Sequence, residues 1–180
     1  MPDRQTARPP DRQTARLMRI SCEHPQQPEI VCLVEQLDAY QTPLYPPESH
    51  HGIDFDALAA PNVIFAVART EDARAVACGA MVLGPQYGEL KRMFVHPDSR
   101  GQGIGRAILA FLEAAASAQG CRLFALETGV SQPAALALYA SAGYVRGGPF
   151  GDYAPDPLSV FMTKCNTGQD RRQLSGFADA

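Results

Sequence analysis

The stretch "HPDSRGQGIGRAILAFLEAA", His96 to Ala115, places three glycines (Gly101, Gly103 and Gly105) directly before an apolar pattern of helical spacing. Ile104, Ile108, Leu109, Phe111, Leu112 and Ala115 share one side of a helix that runs from Gly103 to Gln119 and is stopped by Gly120. Upstream, "YGELKRMFV" reads as a strand ending at Val95, so the glycines occupy a strand-to-helix turn. Residues without a Cβ let successive backbone amides turn toward one point and let a large anion approach closely. The helix N-terminus adds free N–H groups and the positive end of the macrodipole, worth about 0.3–1 kcal/mol for a well-placed negative charge. Together these features describe a phosphate cradle. Spacing excludes two familiar ones. The dinucleotide pattern G-x-G-x-x-G would need glycine at Arg106 or Ile108, and the nucleoside-triphosphate loop needs a Gly-Lys-Ser/Thr ending that is not there.

Working outward, the elements alternate. "LMRIS" is a short strand, and Ile30, Leu33, Val34 and Leu37 recur at helical spacing from Pro28 to about Tyr40. "TPLYPPESHHG" carries three prolines and reads as an irregular loop, followed by a turn of helix in "DFDALAA". "NVIFAVAR", "AVACGAMVL" and "YGELKRMFV" are three strands joined by the turns "TEDAR" and "GPQYG". After the long helix, "RLFALET" is a strand, "QPAALALYASAG" a helix stopped at Gly143, and "YVRG" and "LSVFMTK" are strands. The order predicts an α/β fold with helices packed on a mixed, mostly antiparallel sheet.

At 180 residues the chain suits one domain. Its boundaries are expected at 18–164, between a disordered tail of residues 1–17 that contains PDRQTAR twice and a flexible tail of residues 165–180. The net charge is −3, and the first sixteen residues, with four Arg and two Asp, contribute positively, so the folded part is more acidic still. That balance argues against nucleic acid or an anionic membrane as partner. Five scattered cysteines without a C-x-x-C pair read as thiols of a reducing cytoplasm rather than a disulfide framework or zinc site. No apolar run reaches the roughly 18 residues of a membrane span. Arginine outnumbers lysine fourteen to two, as GC-rich bacterial coding would give.

The pattern Arg-x-x-Gly-x-Gly at Arg100–Gly105, after "GELKRMFV" and followed in order by "LETG" and "ALALYASAGYVR", resembles the GNAT N-acetyltransferase family over about Met18 to Lys164. The resemblance implies the GNAT (acyl-CoA N-acyltransferase) fold, a mixed mostly antiparallel central sheet flanked by helices. It implies acetyl-CoA as co-substrate, held between the strand ending at Val95 and "RLFALET", with Phe94 and Val95 offering backbone groups to pantetheine. Arg100, Gly101, Gln102, Gly103, Ile104, Gly105 and Arg106 would hold the pyrophosphate. Tyr139 matches the family tyrosine that faces the CoA sulfur and serves as general acid. Where the family often has Asn, this chain has Gln132 before Pro133, in a cofactor-binding position.

Glu89 matches a position where some members carry a catalytic glutamate, which would deprotonate the acceptor amine; the alternative is an ion pair with Lys91 or Arg92. Strand alternation sends Glu89, Lys91 and Met93 to one face and Leu90, Arg92 and Phe94 to the other. Tyr45, Glu48, His50 and His51 form a polar cluster where the family builds its acceptor pocket, and "FGDYAPDPLS" connects the last two strands near it. No metal site is expected, since adjacent histidines chelate poorly and no third ligand is spaced for one. None of the cysteines lies at a motif position, so transfer by direct attack needs no acyl-enzyme. The implied activity is acetyl transfer to a primary amine of a small molecule or amino acid. A peptide or protein amine, a non-catalytic acyl-CoA sensor, a longer acyl group and a homodimer all stay open.

Overall fold

The structure is a computed structural model and describes residues 18–166. The expectation for the tail at 1–17, and for the tail beyond Asn166, falls outside these residues. The last strand runs to Cys165, and Asn166 is tied to Arg122 and Ser117 by hydrogen bonds.

Seven strands form one sheet: β1 (Arg19–Cys22), β2 (Val63–Arg69), β3 (Ala75–Leu83), β4 (Gly88–Val95), β5 (Leu123–Gly129), β6 (Val145–Gly147) and β7 (Ser159–Cys165), in the spatial order β1-β2-β3-β4-β5-β7-β6. Every neighbouring pair is antiparallel except β4 and β5. Four helices accompany them: α1 (Pro28–Gln41), α2 (Phe55–Leu58), α3 (Ile104–Ala118) and α4 (Pro133–Ser141). The sheet is covered on both faces. Ile30, Leu33, Val34 and Leu37 of α1 pack with Phe65, Val67, Cys78 and Phe94, while Ile104, Ile108, Leu109 and Leu112 of α3 pack with Met81, Leu90 and Leu126. Burying such side chains stabilises the fold by roughly 1.5–3 kcal/mol each.

The two helix-stop glycines act by one mechanism. Gly120 and Gly143 take left-handed φ of 86° and 95°. Around each, two backbone bonds close the helix end: Cys121 N–H to Ala116 O with Gly120 N–H to Ser117 O, and Tyr144 N–H to Tyr139 O with Gly143 N–H to Ala140 O. These are Schellman closures, which use up the last carbonyls of the helix. The second one fixes Tyr139 in place, and its ring meets Tyr144 edge-on at 5.8 Å between centroids.

Strand β4 departs from its expected alternation. Cys78 pairs with Phe94 and Ala80 with Lys91, so Gly79 alone faces both Arg92 and Met93. This is a β-bulge, and Arg92 sits at φ 54°, a left-handed value that costs a residue with a Cβ about 1–2 kcal/mol. Gly79 stands opposite it, where a Cβ would lie 2.4 Å from Met93 Sδ and 3.1 Å from methyl groups of Ile108 and Leu112. The bulge corrects the alternation argument. Leu90, Met93 and Val95 join the α3 layer, whereas Arg92 reaches Asp38 of α1 and Phe94 packs in the α1 layer.

Candidate active site

Strands β4 and β5 are paired only at Gly88–Phe124, Glu89–Ala125 and Leu90–Leu126. Beyond that the two strands part, leaving Lys91, Phe94 and Val95 paired on the β3 side and Glu127–Gly129 on the β7 side. Two cavities occupy the opening. The first, about 430 Å³, runs along the end of β4, the glycine turn and the α4 N-terminus. Of the ten residues expected to hold the co-substrate, Phe94, Val95, Arg100, Gly101, Gly103, Ile104, Gly105, Arg106 and Gln132 line it; Gln102 does not and is exposed.

The chemistry of this cavity fits a pyrophosphate. Gly101 and Gly103 adopt φ of 74° and 78°, and a Cβ at either would meet nothing within 4 Å, so the space over the turn is open. Most helices begin at a Ser, Thr, Asp or Asn whose side chain satisfies first-turn N–H groups. Here Gly103 holds that position, no side chain caps α3, and its first turn has no acidic residue. The N–H groups and positive dipole end are left for a ligand. Arg100 and Arg106 flank them, the first anchored by its Nε to Val95 O (3.0 Å) and the second by its Nη2 to Ser141 Oγ (2.6 Å).

The second cavity, about 460 Å³, lies on the α1 side and is lined by Asp38, Tyr45, His50, His51, Arg92, Glu127 and Thr128 among others. Of the four residues expected around the acceptor, Tyr45, His50 and His51 line this cavity; Glu48 is exposed and outside it. The buried Tyr45 closes one wall, since its hydroxyl accepts from Ser131 N–H at 3.0 Å and it crosses Gly129 so closely that a Cβ would lie 1.9 Å from Oη. His50 Nε2 is 3.0 Å from Tyr45 O, His51 packs edge-on against Tyr153, and His51 Nε2 is buried without a hydrogen-bond partner among the described residues. The bulge makes this wall: Lys91 Nζ donates to His51 O and the Arg92 guanidinium to Ile53 O, both in the loop between α1 and α2. The cavities share Leu37, Met93, Gln132, Ala135 and Tyr139. Tyr139 thus stands on their seam, and burial, with the nearby Glu127 charge, pushes its phenol well above the ordinary tyrosine range.

Glu89 lines neither cavity. It is paired with Lys91 at 2.8 Å and accepts a 2.6 Å bond from the Tyr153 hydroxyl. Three carboxylates do line the second cavity, Asp38 (paired with Arg92), Asp54 (bonded to Ala57 N–H) and Glu127 on β5, and the sequence reading passed over Glu127. It accepts from Ser159 Oγ at 2.6 Å, and burial raises its carboxyl above the usual range. The available signal was a lone charge near the end of "LFALETG", a strand otherwise apolar and central, where an acidic residue needs a reason. No cysteine lines either cavity, and burial raises the Cys78 thiol to about 12. Among the described residues no group of three His, Cys, Asp or Glu is placed to hold a metal ion, and no helix is long and apolar enough to cross a membrane.

Comparison with known proteins agrees with this geometry. The model of the acetyltransferase (GNAT) family matches residues 31–144. The chain is 48% identical over 147 residues, 81% of its length and 95% of the other, to a protein of Azospirillum brasilense named IAA acetyltransferase. It is 35% identical to an uncharacterized N-acetyltransferase of Bacillus subtilis, over 76% of this chain and 91% of that one. Among solved structures, a Klebsiella pneumoniae protein described as an acyl-CoA N-acyltransferase superposes with a TM-score of 0.71 at 39% identity, covering 83% of this chain and 97% of that one. The fold alone is shared with a Thermoplasma acidophilum N-acetyltransferase solved with coenzyme A (TM-score 0.64, 13% identity, 83% and 99% covered). A match of that reach, on a sheet whose central strands part beside a glycine cradle, makes the chain a member of the acetyltransferase (GNAT) family and an acetyl-CoA-dependent acyltransferase.

Proposed function

We propose that the enzyme transfers acetyl from acetyl-CoA to a primary amine of a small molecule or amino acid by direct attack. One observation carries this reading: the cradle-side cavity and the polar cavity meet at Tyr139, so a donor in one and an acceptor in the other come together at a phenol. The second cavity, about 460 Å³, is of small-molecule size.

Bound acetyl-CoA supplies a thioester carbonyl as the electrophile and a thiolate as the leaving group. The first-turn amides of α3, with Arg100 and Arg106, bind its pyrophosphate. The free edge of β4 from Phe94 to Val95 orients the pantetheine arm, and a backbone N–H near Val95 polarises the carbonyl. Tyr139, protonated at neutral pH as any tyrosine is, lines both cavities, and its phenol is the group that donates to the departing sulfur.

Thiol release from acetyl-CoA across a panel of phenethylamine, tyramine, α-amino acids, an aminoglycoside, a lysine-containing peptide and IAA tests the reading. Saturable turnover of a small amine is expected. CoA binding without turnover of any member would point instead to a sensor, and turnover of the peptide alone to a protein acceptor.

A further inference from the structure

The lining of the second cavity includes two permanent cations, Lys91 and Arg92, and both are already engaged by the protein itself. Lys91 Nζ lies 2.8 Å from Glu89 Oε1, donates to the Tyr153 hydroxyl at 2.7 Å and donates to His51 O at 3.1 Å, a partner for each of its three protons. Arg92 pairs with Asp38 through Nη1 and donates twice to Ile53 O, from Nε at 3.1 Å and from Nη2 at 2.8 Å. The two side chains are 17% and 12% exposed, so neither reaches a new partner without breaking charge-assisted bonds. Of the two histidines in the lining, His50 turns Nε2 to Tyr45 O and His51 has its Nε2 buried. Arg100 and Arg106 line the other cavity.

The negative charges are not balanced in the same way. Glu127 lines the cavity and accepts from the neutral Ser159 hydroxyl at 2.6 Å, and it belongs to none of the ion pairs among the described residues. Asp54, whose Oδ1 accepts from Ala57 N–H at the start of α2, is a second lining carboxylate outside those pairs. Asp156 of the β6–β7 loop acts on Glu127 with a further negative charge. Lys91 cancels against Glu89 and Arg92 against Asp38, which leaves the cavity negative with its histidines neutral.

We infer that the acceptor is an amine that carries no carboxylate, a small mono- or diamine rather than an amino acid. This rests on the amine reading above and narrows it. An ammonium entering the cavity meets uncompensated negative charge, which offsets the loss of its hydration. A carboxylate on the same molecule would lie beside Glu127 and Asp54 with no cation to receive it, or would have to displace Asp38 or Glu89 from a pair already formed. Asp38 and Glu89 thus occupy the cations that an amino-acid acceptor would need. The exclusion is made by charge pairing, not by bulk.

The test uses pairs of acceptors that differ by one carboxylate: tyramine against tyrosine, phenethylamine against phenylalanine and cadaverine against lysine, each read as kcat/KM by thiol release at saturating acetyl-CoA. In any pair the enzyme turns over, the member without the carboxylate is expected to be favoured by about 100-fold or more. Asp38→Asn leaves Arg92 without its carboxylate partner, and Glu89→Gln does the same for Lys91. Each is expected to raise kcat/KM for the amino acid by about tenfold, through a lower KM, with the CoA Kd from calorimetry unchanged. A gain on one member of a pair is a change that damaged folding does not produce. Parity within the pairs, preference for the amino acids, or variants that leave the ratio where it was overturn the inference. An enzyme that turns over no amine, while binding CoA, overturns the amine reading instead.

Discussion

The two halves of the active site are made from different materials. The half proposed for the donor is mainly backbone: two left-handed glycines, an uncapped helix start and a strand edge, all within Phe94 to Arg106, flanked by the side chains of Arg100 and Arg106. The half proposed for the acceptor is side chain: Tyr45 and His51 from one loop, Lys91 and Arg92 from β4, Glu127 from β5, gathered from positions as far apart in sequence as Tyr45 and Glu127. A backbone cradle recognises a group common to every reaction of the enzyme and needs only local sequence. A side-chain pocket recognises one acceptor and is assembled by tertiary contacts, so either half can change without the other.

Substitutions that act on one half alone sharpen that division, and those that leak across it would break it. The largest effect should come from the seam. Tyr139→Phe is expected to lower kcat about 100-fold while leaving CoA affinity, by calorimetry, and fold unchanged. On the acceptor side, Gly129→Ala drives a Cβ into Tyr45 and should cost about 1–3 kcal/mol of stability in denaturant unfolding, raising the acceptor KM but not the CoA Kd. Adding Tyr45→Ala should recover part of that loss, a coupling that a double-mutant cycle measures. On the donor side, Gly103→Ala meets no neighbour and acts through backbone strain, about 1–2 kcal/mol, with weaker CoA binding and an unchanged acceptor preference.

The smallest effect carries a sign. The native state holds the Glu127 proton more tightly than the unfolded chain does, so stability falls as pH rises from the ordinary glutamate value through the native one. Glu127→Gln should therefore unfold at a higher temperature than the parent at pH 7–8, with the gap closing below the ordinary glutamate range.

How much of this was legible follows the same line. Gly120 and Gly143 announced their helix ends because a left-handed residue is needed there, and three β-rich runs between turn residues gave the antiparallel strands. "RGQGIG" gave the cradle, since its requirement is for missing side chains. The bulge left no trace, because Arg92 has none of the turn chemistry that normally marks a left-handed residue. Without it, alternation put Arg92 on the same face as Leu90. Glu89 stood at a position the family resemblance singles out, yet its partners Lys91 and Tyr153 lie two and sixty-four residues away, and only the folded chain shows them closing around it. Glu127 was visible as a charge on a central strand, but which cavity it faced depended on where β4 and β5 separate.

The bulge at Arg92 works as a phase shift in a ruler. Up to Lys91 the strand counts its side chains in one parity, and after Arg92 in the other, so the same eight residues serve two clients. Lys91 and Arg92, neighbours that a regular strand would send to opposite faces, both grasp carbonyls of one loop, while the next residues turn to the donor groove. One surplus residue thereby separates the question of what is given from the question of who receives it.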